Sequence, residues 1–143
     1  MYRVLIPIDE NHERAETIVE AVCDLPCAAD EIEATVLNVH EEYELPADGE
    51  GGVVDSEVLF DEDDVPDSVA EAVAALEDAG IETTVRRVHD TPATAILDAA
   101  EDVDADKIVM SGRPRTPTGK VLFGSVTQSV ILSSTRPVTV VMP

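Results

Sequence analysis

The chain has 143 residues, 31 of them Asp or Glu against nine Lys or Arg, which sets its formal net charge at −22 near neutral pH. That length fits a single domain able to bury a real core, and the charge excludes partnership with nucleic-acid phosphates or an anionic membrane, both of which need a basic face. Hydrophobic residues make up 44% of the chain, too many for an acidic disordered polymer, so the acids describe a folded surface of the halophilic type, with an acidic mesophilic protein as the alternative.

The chain opens directly on YRVLIPID, with no basic segment leading into an apolar leader and no apolar run approaching a membrane span, which predicts a cytoplasmic location. Tyr2 to Ile8 reads as a short strand buried on both faces. Ala15, Ile18, Val19 and Val22 then recur at helical spacing, with Asp9 a candidate cap for a helix starting near His12. Cys23 and Cys27 stand four apart, which places them on one helical face as small core residues; no second pair stands at zinc-ligand spacing. Glu33 to His40 is the second predicted strand. Residues 41–64 carry many acids, three glycines and no Lys or Arg, a solvated acidic loop.

Helical spacing returns over Val65–Ala79 through Val69, Ala72, Val73 and Leu76, with Pro66 suited to the first turn and Gly80 to the stop. Glu82 to His89 is the third strand. Thr91 is a good N-cap with Pro92 behind it, and Ala93, Ile96, Leu97 and Ala100 make one apolar face running to Glu101. Lys107 to Met110 is the fourth strand. Ser125 and Gln128 have capping-box spacing for a helix running to about Ser134, and Pro137 to Met142 closes the chain as the fifth strand. Strands alternating with helices of this length imply an α/β fold, a parallel sheet with helices on both faces and right-handed crossovers; the expected form is an open five-stranded sheet in the order 3-2-1-4-5.

In such a sheet ligands bind beyond the carboxyl ends of the strands, where the order reverses, here between strands one and four. Pro7, Ile8 and Asp9 leave the first; Met110, Ser111, Arg113 and Arg115 leave the second. Arg113, Arg115, Lys120 and Arg136 supply four of the nine cations, a concentration that suits an anion. Asp9 can accept from ribose hydroxyls, and a helix starting at Gly124, Ser125 and Val126 offers backbone N–H groups and the positive end of its dipole. Together these suit a nucleotide. Each also has a plainer role: Asp9 and Ser125 as caps, Gly124 as a turn residue, the two arginines as surface ion-pair partners. Gly119 and Lys120 do not make a P-loop, since Pro114 and Val121 stand where that motif needs Gly and Ser or Thr. His12, His40 and His89 are isolated, no nucleophile stands with a base, and no metal set is visible, so the chain is not expected to be an enzyme, with weak ATP hydrolysis left open.

VLIPID, VLNVH, TPATAIL and GSV followed by RPVTVV, in that order, resemble the landmarks of the universal stress protein family, single-domain and haloarchaeal in type, over essentially the whole chain. The resemblance implies the Rossmann-like sheet, a homodimer through the last strand, and in many members ATP held by a loop G-x2-G-x9-G followed by Ser or Thr. Matched by position, Pro7, Asp9 and Val39 would line the adenine and ribose pocket, and Gly124, Ser125, Val126 and Thr127 the phosphate end. The loop departs from the family at Ser111 and Pro114, where ATP binders have Gly. Pro114 has no N–H to donate and cannot take positive φ. The resemblance thus implies a stress-response regulator binding ATP or another adenine nucleotide, of undefined metal dependence; a dimeric interaction module with a degenerate phosphate loop is the alternative.

The charge makes one prediction by itself. Carboxylate self-repulsion opposes the compact state, and it fades as the Debye length falls to about 3 Å in molar salt. Thermal melts should therefore move upward from dilute to molar KCl; a midpoint independent of salt would refute the halophilic reading.

Overall fold

The computed structural model describes residues 1–40, 65–112 and 124–142. The acidic segment 41–64 and the stretch carrying Arg113, Pro114, Arg115, Gly119 and Lys120 lie outside the described residues. The elements are β1 (Tyr2–Pro7), α1 (His12–Cys23), α2 (Ala28–Glu31), β2 (Ile32–His40), α3 (Asp67–Asp78), β3 (Glu82–His89), α4 (Pro92–Asp102), β4 (Lys107–Ser111), α5 (Ser125–Ser133) and β5 (Val138–Val141). The strands form one sheet in the order β3-β2-β1-β4-β5, and every neighbouring pair is parallel.

Strand alternation divides the core into two layers. Val4, Ile6, Ile8 and Val36 face one way and pack with Ile18, Val22, Val69 and Leu76 of α1 and α3. Leu5, Leu37, Ile108 and Met110 face the other and pack with Ile96, Ala99 and Val130 of α4 and α5. Central strands buried on both sides need the unbroken apolar runs seen in VLIPI and IVM.

The local signals that hold are those where geometry leaves one choice. Gly80 ends α3 at φ +83°; the Gly80 amide bonds to the Glu77 carbonyl and the Ile81 amide to the Leu76 carbonyl, the paired bonds of a Schellman stop. Asp104 takes the same place after α4 at φ +52°. Asp is one of the few side chains that enter this conformation, and the exposed Asp104 carboxylate lies 3.3 Å from Arg136 and 3.9 Å from Arg3.

Three local expectations are corrected. Asn11, not Asp9, caps α1, its side chain accepting the Arg14 amide at 2.9 Å. The predicted capping box at Ser125 is not formed: Gly124 takes the extended cap conformation and Ser125 is already helical. Thr91 is the N-cap of α4 as expected, in extended conformation and without a cap bond from its hydroxyl, and its own amide donates to the Asp90 carboxylate at 2.7 Å. Cys23 and Cys27 do not share a helical face, because α1 ends at Cys23 and the chain turns through Cys27 at φ +58° into α2, a helical turn the sequence pattern does not announce. The Cys23 thiol is held above its usual pKa by burial and, secondarily, by Asp24.

At Gly80 an added Cβ would sit in left-handed backbone and 3.2 Å from the Ala29 Cβ of α2. Gly80→Ala should therefore cost about 1–2 kcal/mol, lowering the melting midpoint by roughly 3–6 °C; an unchanged midpoint would refute the strain assigned to this position.

Candidate functional site

The cleft lies where β1 and β4 separate. Their ladder is registered only at Val4↔Lys107 and Leu5↔Ile108, although β1 runs on to Pro7 and β4 to Ser111. The Ile8 amide bonds to Leu37 of β2, so Pro7, one residue earlier, faces β4. It has no N–H to offer that strand, and the ladder cannot continue. The strands diverge into a cleft of about 770 Å³, within the roughly 300–1,000 Å³ range of small-molecule sites.

The structure brings most of the sequence candidates to this one place. Pro7, Asp9, Val39, Met110, Ser111, Gly124, Ser125, Val126 and Thr127 all line the cleft. Pro7, Val39, Ile96, Met110 and Val126 give it an apolar wall, while Asp9, Glu10, Asn11 and Arg14 stand on the β1–α1 side. Arg113 and Arg115 lie outside the described residues.

Asp9 is oriented before any ligand arrives. One carboxylate oxygen accepts the Asn11 amide at 2.9 Å and the other a guanidinium N–H of Arg14. A carboxylate offers about four lone-pair positions, so acceptor capacity remains toward the cleft. On the opposite side α5 begins. Its first internal bond runs from the Gln128 amide to the Gly124 carbonyl at 2.9 Å, which leaves the amides of Ser125, Val126 and Thr127 without an intrahelical acceptor at the positive end of the helix. Ser125, freed from capping, stands in the cleft wall. The Thr127 hydroxyl is committed elsewhere, donating to the Ser111 carbonyl at 3.2 Å, so Thr127 can offer a ligand only its main chain as donor.

Sequence reasoning missed Arg14, Asn38 and Ser68. The signals were present. Asn38 interrupts the apolar strand VLNVH, and Ser68 falls on the buried stripe of Val65, Val69, Ala72 and Leu76. Asn38 is 3% exposed and donates to the Ile8 carbonyl at 3.0 Å, while its own carbonyl oxygen has no partner among the described residues. Leaving such an acceptor unsatisfied costs about 1–3 kcal/mol, so this amide is kept for its donor. Among the described residues no group of three His, Cys, Asp or Glu could hold a metal ion, and no helix is long and apolar enough to cross a membrane. His12 pairs with Glu71 at 2.9 Å on the exposed surface.

This chain is 37% identical over 76 residues to a universal stress protein of Mycolicibacterium smegmatis, a match covering 52% of the chain and 58% of that relative. Among solved structures it resembles MJ0577 with a TM-score of 0.76 and 28% identity, over 99% of this chain and 96% of the other, a protein of Methanocaldococcus jannaschii. The fold is also that of a universal stress protein from Archaeoglobus fulgidus solved in complex with dAMP, at a TM-score of 0.67 and 24% identity over 99% and 98% of the two chains. The model of the universal stress protein family matches residues 1–142, and this chain belongs to that family.

Proposed function

We propose that this protein binds an adenine nucleotide in the cleft between β1 and β4 and acts as a nucleotide-responsive stress-response regulator rather than an enzyme. One observation carries the reading: a pre-oriented carboxylate, Asp9, stands across a partly apolar cleft from amides at the start of α5 that have no intrahelical acceptor. Hydroxyls of a ribose suit the first, a phosphate suits the second, and a base suits the apolar wall between them. The complex of the Archaeoglobus fulgidus protein with dAMP supports the same chemical class. Arg113 and Arg115 are proposed to add charge at the phosphate end, where Ser111 and Pro114 stand in place of glycines and Pro114 has no N–H to donate. A location in the cytoplasm accords with this role.

The protein is further proposed to be a homodimer through β5. That strand is the sheet edge, its four residues are only half-buried, and Met142 beyond it is 42% exposed. An apolar edge with unpaired backbone groups favours addition of a second strand. The same surface would serve the alternative reading, an interaction module that binds no nucleotide.

Calorimetry at fixed high salt separates the two. Asp9→Ala should weaken adenosine and ATP alike, whereas neutralising Arg113 and Arg115 together should weaken ATP by more than roughly 1.5 kcal/mol and adenosine little. No saturable binding of ATP, ADP or AMP near millimolar concentration would leave the interaction module. Light scattering in molar salt should report twice the chain mass; a monomer throughout the micromolar range would refute dimerisation.

A further inference from the structure

The polar groups buried in this fold are concentrated on the rims of the cleft. Among the described residues Thr35, Asn38, Ser68 and Thr127 are the buried polar residues, and the last three each donate to a main-chain carbonyl on a segment leaving β1 or β4. Two of them act on consecutive residues. Asn38 of β2 holds the Ile8 carbonyl at 3.0 Å, and Ser68 of α3 holds the Asp9 carbonyl at 2.6 Å. The Ile8 amide is held in turn by Leu37 at 2.9 Å.

Ser68 is the informative member. It is 1% exposed and 59 residues from Asp9 in sequence. Ser68 is the second residue of α3, too early for its hydroxyl to return to a carbonyl of its own helix, and it reaches instead to the turn after β1. The exposed pair His12 with Glu71 joins α3 to the start of α1 close by, but a solvated ion pair fixes little. A buried hydroxyl with one acceptor fixes the direction of the carbonyl, and with it the peptide plane from which the Asp9 side chain departs.

We propose that Ser68 is a positioning residue for the Asp9 turn, coupling the start of α3 to the side of the cleft assigned to ribose. Displacing α3 turns Asp9 away from its ligand, so α3 can tune affinity without touching the ligand. The consequence for affinity rests on the nucleotide reading above; the clamp itself does not.

The test uses the full chain in Ser68→Ala and Ser68→Cys forms, the latter keeping the volume and a weak donor, with Gly80→Ala as a destabilised control on the same helix. Backbone amide exchange is read at Ile8 and Asn11 relative to Val36 in the core, and calorimetry uses adenosine and inorganic tripolyphosphate. In Ser68→Ala, exchange at Ile8 and Asn11 should rise about tenfold over Val36 and adenosine affinity should fall about tenfold, as expected for one lost hydrogen bond. Tripolyphosphate affinity should not change, Ser68→Cys should fall between, and Gly80→Ala should accelerate all three amides together while leaving adenosine affinity intact. Unchanged relative exchange in Ser68→Ala, or a Gly80→Ala protein reproducing both effects, overturns the proposal. If Ser68→Ala does not fold, Ser68→Cys is read by the same ratios. Should the unaltered protein bind no adenosine, the nucleotide reading fails, and the exchange ratios still decide the clamp.

Discussion

The site depends on a single missing hydrogen-bond donor. Parallel strands stay together only while each supplies N–H and C=O groups to the next, and Pro7 withdraws one from the side of β1 that faces β4. Strand order then does the rest. Because β2 lies on one side of β1 and β4 on the other, the connections leaving the two strands depart to opposite faces, and a crevice opens beyond Pro7. Continuing the ladder would close the floor on which Asp9 and the start of α5 meet.

Main-chain carbonyls at and just beyond the ends of β1 and β4 have no strand partner, and the fold answers with buried side-chain donors. Asn38, Ser68 and Thr127 each contribute one such donor. At Asn38 the answer is incomplete, since its own oxygen stays unpaired among the described residues. An apolar side chain there would avoid that penalty but free the Ile8 carbonyl. Rigid turns at the rim are thus obtained at the expense of stability in the core, the usual balance at preorganised sites.

Charge is partitioned as well. The surface carries the large acidic excess, which opposes the approach of any anion. Within the cleft Arg14 pairs with Asp9, and the α5 amides present positive partial charge opposite them. An anionic ligand therefore meets its favourable contacts only after passing the acidic exterior, and the high salt that screens the exterior also lowers that barrier.

Much of the fold was legible because its signals are short-range and redundant. Apolar runs marked the buried strands, 3.6-residue periodicity marked the helices, and their alternation implied a parallel sheet covered on both faces. Caps were less legible: Asp9, Asn11, Ser125 and Gly124 are residue types with overlapping preferences, and only the backbone conformation chooses among them. The short α2 left no trace, since four residues cannot display a period. Of the site, the sequence by itself determined the chemistry available at each strand end: an acid after β1, a glycine and serine opening α5, and a proline where β1 stops. Those properties reside in single residues or adjacent ones, so no tertiary contact is needed to state them. Only the tertiary structure decided that Arg14 turns back onto Asp9, that Thr127 is committed to Ser111, and that Ser68 reaches Asp9 from 59 residues away. A hydroxyl has many potential acceptors in an unfolded chain; which one it keeps is settled by packing of α1 and α3 on the same face of the sheet, a long-range event that residue preferences do not encode.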